Sequence, residues 1–150
     1  MPALHPGEPA PPIFGLDFAD GPTALFFYKV TCPVCQMAAP KAATFGTAYP
    51  GRIVGIGQDP PDKLAAFDQQ FGLGFRSEAE LPPYEASDAY GVRVVPTLFL
   101  VGGDGTILRS VESWDRVGFN ATSRQMAELS GLTYAPISYP GDGLPAFRPG

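Results

Sequence analysis

Histidine, cysteine and basic residues are scarce in this 150-residue chain, and each shortage removes a class of function. A structural zinc site takes four ligands, typically cysteine and histidine. Two cysteines and one remote histidine, His5, do not supply them within one chain, so no metal is expected. Ten Lys and Arg against fifteen Asp and Glu leave a formal net charge of -5, with no basic cluster. Nucleic-acid binding therefore lacks electrostatic support. No apolar run is long enough to cross a bilayer. The opening "MPALHPGEPAPP" has no basic start followed by an apolar core, so it does not read as a signal peptide, and a cytoplasmic location is the expectation. Two cysteines cannot build a disulfide scaffold for a chain of this size.

What is abundant is punctuation. Gly and Pro number 18 each, roughly twice the usual share. Most lie between apolar runs, which implies many turns rather than disorder, with the two ends as exceptions. No internal repeat or domain boundary interrupts residues 1–150, so one domain is expected, with its core at about 7–131.

The periodicities give the element order. "PPIFGLDF" (Pro11 to Phe18) alternates and reads as a first short strand; "TALFFYKV" (Thr23 to Val30) is continuously apolar, as a strand buried on both faces is. From Cys32 the pattern becomes helical, with Pro33 in the first turn and Pro40 placed to kink the helix. "RIVGIGQ" is a further buried strand. Asp59 stands as a cap before a helix with a Leu64, Phe67 and Phe71 stripe, closed by Gly72. A short helix ends at Gly91, and two strands meet at "GGDG", a hairpin signal. A last helix is capped by Asn120 or Thr122 and ends at Gly131. This order implies an α/β fold: a central mixed sheet flanked by helices, with an N-terminal strand extension. The segment 133–150 carries no regular element. It holds Tyr134, Ile137, Tyr139, Leu144 and Phe147, more apolar bulk than a solvated linker needs, and is expected to pack on the domain at least in part.

The two cysteines, Cys32 and Cys35, fall where the central strand gives way to a helix. There the unpaired N–H groups of the first turn face the Cys32 sulfur and favour a thiolate, while Cys35, one turn further on, is expected to be more buried. Such asymmetry suits a dithiol couple: Cys32 attacks a disulfide, and Cys35 resolves the mixed disulfide. Two inert buried thiols, or half of a zinc site shared between two chains, are the competing readings.

Three motifs together resemble the thioredoxin superfamily, in its redoxin branch with the TlpA-like thiol–disulfide reductases. They are "GEPAPPIFGLDFADG", "FFYKVTCPVCQMAAP" and "DAYGVRVVPTLFLVGGDGTIL". The resemblance implies a thioredoxin-like fold and an enzyme without cofactor. It also implies a cis Val95–Pro96 bond packed on the cysteine pair. Val95 and Pro96, with Thr31, Pro33 and Val34 around the cysteines, would then contact substrate. The implied partners are protein or small-molecule disulfides and a thiol reductant. Several positions depart from the pattern. Thr31 replaces the tryptophan of thioredoxins, Phe26 their buried acid, and Ala38 the glutamate of the TlpA-like branch. No proton acceptor for Cys35 is thus apparent. Lys29 could tune the site electrostatically or be a solvated surface lysine.

Two rival functions follow from the same resemblance. A thiol peroxidase of the peroxiredoxin type would carry P-x-x-x-T-x-x-C. Counting back from Cys35 places Cys32 and Tyr28 at the T and P positions, and counting from Cys32 places Lys29 and Leu25 there, so neither register fits. A redoxin-type copper chaperone would show a wider cysteine spacing and a distant histidine, which this chain lacks.

Overall fold

The fold is seen in a computed structural model that describes residues 2–150. Its centre is β1 (Thr23–Tyr28), in which all six residues are buried. Ala24, Phe26 and Tyr28 enter one core, and Leu25 and Phe27 enter the other. Burial on both faces explains why this stretch does not alternate polar with apolar. β2 (Ile53–Gly57) runs parallel to β1 in a register from Ala24 opposite Ile53 to Tyr28 opposite Gly57. β3 (Ser77–Ala79) extends the sheet in parallel beyond β2. On the other side β4 (Thr97–Val101) and β5 (Ile107–Glu112) are antiparallel, giving the order β3-β2-β1-β4-β5. The β4–β5 connection is the "GGDG" turn, in which Gly105 takes a φ of 80° that side chains disfavour.

Helices cover both faces. α1 (Pro33–Ala48) lays Ala38, Ala39, Ala42 and Phe45 on the sheet, and α2 (Pro61–Phe71) adds Leu64 and Phe67 to the same core. The short α3 (Glu85–Ala89) serves the opposite core through Ala86. Asp59 does not cap α2: Pro60 is the cap residue and makes no side-chain bond there. The carboxylate is engaged elsewhere, as described below.

The final helix, α4 (Arg116–Ser130), begins four residues before the expected Asn120. Its cap is Asp115, which accepts from the Gly118 N–H at 3.2 Å. Gly118 concealed the first turn because glycine is a weak helix former. Here its missing side chain is structural, since a Cβ would stand 2.6 Å from Val111 of β5. Asn120 and Thr122 therefore lie inside the helix.

The N-terminal end differs from expectation. Residues 11–18 form no strand; a turn bonds the Leu16 N–H to Ile13 and a 3-10 turn follows at Phe18–Asp20. Pro11 and Pro12 have no N–H to give a ladder. Nor is this end loose. Backbone bonds join Leu4 to Tyr90, and Gly7 and Glu8 to Ile107, while the Tyr90 hydroxyl donates to the Pro11 carbonyl at 2.7 Å.

The C-terminal segment packs closely but unevenly. Ile137 is buried, whereas Tyr139 and Phe147 remain exposed. A two-residue strand, β7 (Phe147–Arg148), pairs with β6 (Trp114–Asp115), where no regular element was expected. The segment is too rich in Pro and Gly to show strand periodicity. Asn120 anchors it by accepting from the Ile137 and Ser138 N–H groups at 2.8 and 3.0 Å and donating to the Ser138 carbonyl. Tyr49, the C-cap of α1, shares its hydroxyl between Ser123 of α4 and the Ala135 N–H.

Asp142 is the strongest of these anchors, with a side chain 1% exposed. It accepts from the Ser138 hydroxyl at 2.6 Å and from the Tyr139 and Leu144 N–H groups, and it pairs with Lys41 of α1 at 3.0 Å and Arg116 of α4 at 3.4 Å. These contacts, the Ser138 bond first, hold its carboxyl well below the usual carboxylate range. A carboxylate whose folded pKa is depressed stabilises the fold above its unfolded pKa of about 3.9, and that contribution is lost as pH falls further. Asp142→Asn is therefore expected to lower the thermal midpoint by several degrees at pH 7. The gap to wild type should narrow progressively below about pH 4, as read by circular dichroism melts over a pH series.

Candidate active site

The carboxyl end of β1 delivers the chain into the turn Lys29–Thr31 and then into α1. Two side chains grip the Val30 peptide in this turn. Its N–H donates to Asp59 Oδ2 at 2.8 Å, and its carbonyl accepts from Gln36 Nε2 at 2.9 Å. The Asp59 contact was readable from sheet register. Tyr28 lies opposite Gly57, so two residues further along each parallel strand bring Val30 beside Asp59. The helical grammar of "DPPDKL" drew attention to capping instead.

Cys32 occupies the N-cap of α1, and its sulfur accepts from the Cys35 N–H at 3.2 Å. The Cys32 thiol also lies 3.4 Å from the Val95 carbonyl, as donor. Both cysteines are free thiols; Cys32 is partly exposed and Cys35 fully buried. Pro33 is the first helical residue, where its missing N–H leaves no bond unmade. Thr31 and Pro33 face solvent, while Val34 is buried in the core, so these three residues divide between rim and interior.

Burial pushes the Cys35 thiol well up, helped by its hydrogen bond with Cys32 and opposed by one with the Lys29 backbone. Phe26 and Ala38, at the two positions where the resemblance would place acids, are fully buried apolar residues. Asp59 is the carboxylate that this chain sets into the turn leading to Cys32. Lys29 is half-buried, with its ammonium 5.8 Å from the centre of the Tyr84 ring.

The loop before β4 closes the site. Its Val95–Pro96 bond is cis, as is Pro82–Pro83, which no sequence signal marked. Pro96 is buried, Val95 is partly exposed, and the Pro96 carbonyl accepts from the Ser113 N–H at 2.8 Å. His5, by contrast, is exposed and lies 3.9 Å from Glu8.

A chemical consequence follows from the two sulfur environments. A thiol with a raised pKa stays protonated, and hence unreactive, at neutral and mildly alkaline pH. In a Cys32→Ala variant, Cys35 should resist iodoacetamide at pH 8 until the chain is unfolded. In a Cys35→Ala variant, Cys32 should be modified at least tenfold faster, as followed by intact-mass spectrometry.

Several known proteins are similar to this chain in sequence or in backbone. A thiol:disulfide interchange protein DsbE of Xylella fastidiosa is 24% identical over 147 residues, covering 93% of this chain and 70% of that protein. The thioredoxin domain of a thiol-disulfide oxidoreductase from Bacteroides vulgatus superposes with a TM-score of 0.70 at 16% identity, over 83% of this chain and 99% of that one. A secreted Mycobacterium tuberculosis disulfide oxidoreductase homologous to Escherichia coli DsbE gives 0.61 at 20% identity, over 85% and 95% of the two chains. The fold is therefore thioredoxin-like, as the resemblance of the three motifs implied. Residues 15–110, which run from before β1 through the cysteine turn and the Val95–Pro96 loop into β5, match the AhpC/TSA family, and the chain belongs to that family.

Proposed function

We propose that this chain is a thiol–disulfide oxidoreductase working through Cys32 and Cys35. The observation that carries the reading is the unequal setting of two sulfurs one helical turn apart. Cys32 is open to solvent and receives an N–H on its sulfur, while Cys35 is closed off behind it. The names of the relatives, interchange proteins and disulfide oxidoreductases, support the same chemistry.

The cycle balances with a dithiol as the electron source. The Cys32 thiolate attacks one sulfur of a substrate disulfide. A Cys32–substrate bond forms, and the substrate S–S bond breaks to release one thiolate. Cys35 gives up its proton and attacks the Cys32 sulfur. The intramolecular disulfide closes, and the second substrate thiolate leaves. The substrate has gained two electrons, which an external thiol reductant restores to the cysteines. The N–H of Cys35 stabilises negative charge on the Cys32 sulfur whenever that sulfur attacks or leaves. Val95 and Pro96 line the approach to Cys32, and Thr31 and Pro33 form its exposed rim. With Phe26 and Ala38 apolar, proton transfer from Cys35 is left to Asp59 or to solvent.

The AhpC/TSA match keeps thiol peroxidase chemistry as the alternative. The absence of P-x-x-x-T-x-x-C before either cysteine weighs against it. Assays with a disulfide and with hydrogen peroxide, each coupled to dithiothreitol oxidation, separate the two. Disulfide reduction should exceed peroxide consumption by at least about a hundredfold. Faster peroxide turnover would reverse the assignment.

Role assignment has its own test. Cys35→Ser should accumulate a covalent adduct with substrate through Cys32, visible on non-reducing gels. Cys32→Ser should trap none and lose activity by roughly a thousandfold or more. Adducts formed instead through Cys35 would exchange the two roles.

A further inference from the structure

After α4 the chain returns to the active site. Phe147 and Arg148 pair antiparallel with Asp115 and Trp114. Beyond them the Gly150 N–H donates to the Ser113 hydroxyl at 3.0 Å. Ser113 is a fixed post: its φ of 72° is uncommon for a residue with a side chain, and its own N–H is bonded to the Pro96 carbonyl. Gly150 then lies against the Val95–Pro96 peptide. A methyl group on its Cα would stand 2.0 Å from the Val95 carbonyl oxygen and 3.4 Å from the Pro96 nitrogen. That carbonyl is the one the Cys32 thiol reaches at 3.4 Å. One backbone carbonyl is thus touched by the sulfur and by Gly150.

We propose that residues 147–150 are a substrate-selecting strap. They occupy the backbone groove beside Val95, which an extended polypeptide would need in order to pair with the chain there, and they leave Cys32 open to small disulfides. The inference rests on the reading of Cys32 as the attacking thiol. An extended peptide binds by adding its backbone to exposed backbone groups of its host. No described residue takes the Val95 N–H, so the groove keeps a free donor, while Gly150 stands on its acceptor.

The build of the segment fits a displaceable strap. Residues 137–144 are clamped by Asn120, Arg116 and Asp142. Pro145 and Ala146 follow, accepting from the Trp114 indole N–H at 2.8 Å and the Arg116 N–H at 2.9 Å. Residues 145–150 are all exposed, so beyond Ala146 little but the β6 pairing and the Gly150–Ser113 bond holds the chain down. The anchor is firm and the tip is weakly held. A competitor of this kind multiplies the apparent affinity for an occluded ligand by the fraction of time the groove is free, which weakens it.

The experiment compares wild type, a variant ending at Ala146, and Gly150→Ala, whose methyl group forces the tip off the Val95 carbonyl. Each is assayed with dithiothreitol against insulin, a polypeptide disulfide, and against bis(2-hydroxyethyl) disulfide, a small one. Removing residues 147–150 should lower KM for insulin about tenfold with kcat retained, equivalent to about 1.4 kcal/mol. Gly150→Ala should give a smaller shift in the same direction. The small disulfide should be turned over within about twofold of wild type by all three. Normal turnover of the small disulfide with unchanged insulin kinetics would overturn the strap and leave the oxidoreductase reading intact. Equal changes with both substrates would also overturn it, because a general loss of structure does not discriminate by substrate size. No turnover of either substrate by any variant would sink both readings together.

Discussion

The contact from which the site is built is the bond between the Cys35 N–H and the Cys32 sulfur, 3.2 Å long. The first turn of any helix leaves N–H groups without partners, and an N-cap side chain normally answers one of them with oxygen. In this chain the answering atom is the reactive sulfur. Capping α1 and placing the thiol are therefore one act. A substitution that removes the sulfur also uncaps the helix that positions Cys35. Pro33 assists by holding the first helical residue in a helical φ without adding an unmet donor.

Everything around that turn fixes where it sits. β1 supplies a rigid approach because both its faces are covered. Asp59 and Gln36 seize the Val30 peptide from opposite ends, so the turn cannot swing relative to β2 or α1. From the other side, Ser113 ties the Pro96 carbonyl to the β5–β6 corner. The corner is in turn held by the C-terminal segment, whose Asp142 binds α1 and α4 together. The same carboxylate thus steadies the helix that carries the cysteines and the segment whose tip reaches their rim. Stability and access to the site are coupled through one buried ion cluster.

The sequence made the middle of the chain legible and its ends opaque, for physical reasons. β1, α1 and the β4–β5 hairpin are written in strong local signals: an unbroken apolar run, a proline after the cap, and a glycine turn. Cys32 and Cys35 could be singled out because they sit where a strand gives way to a helix, whereas Val95 and Pro96 were marked only by the resemblance of their motif. The ends carry their information in hydrogen bonds to distant residues. Ala135 answers to Tyr49, Ile137 to Asn120, and Leu4 to Tyr90, and none of these pairs has a periodicity to betray it. The run Pro11 to Phe18 alternates as a strand does, but its two leading prolines have no N–H to donate to a ladder. Gly118 masked the start of α4, since its value lies in what it lets Val111 approach rather than in propensity. Asp59 was misassigned because its nearest helix lay close in sequence, whereas its partner lay across a parallel pair of strands.

The central claim is that Cys32 and Cys35 form one two-electron couple. It is tested most directly by equilibrating the protein over a range of reduced to oxidised glutathione and counting free thiols by intact mass. The account predicts a single transition in which both thiols are lost together as an intramolecular disulfide, with a slope of about 30 mV per decade. A stable glutathione adduct on Cys32 with Cys35 still reduced, or loss of one thiol at a time, would contradict it.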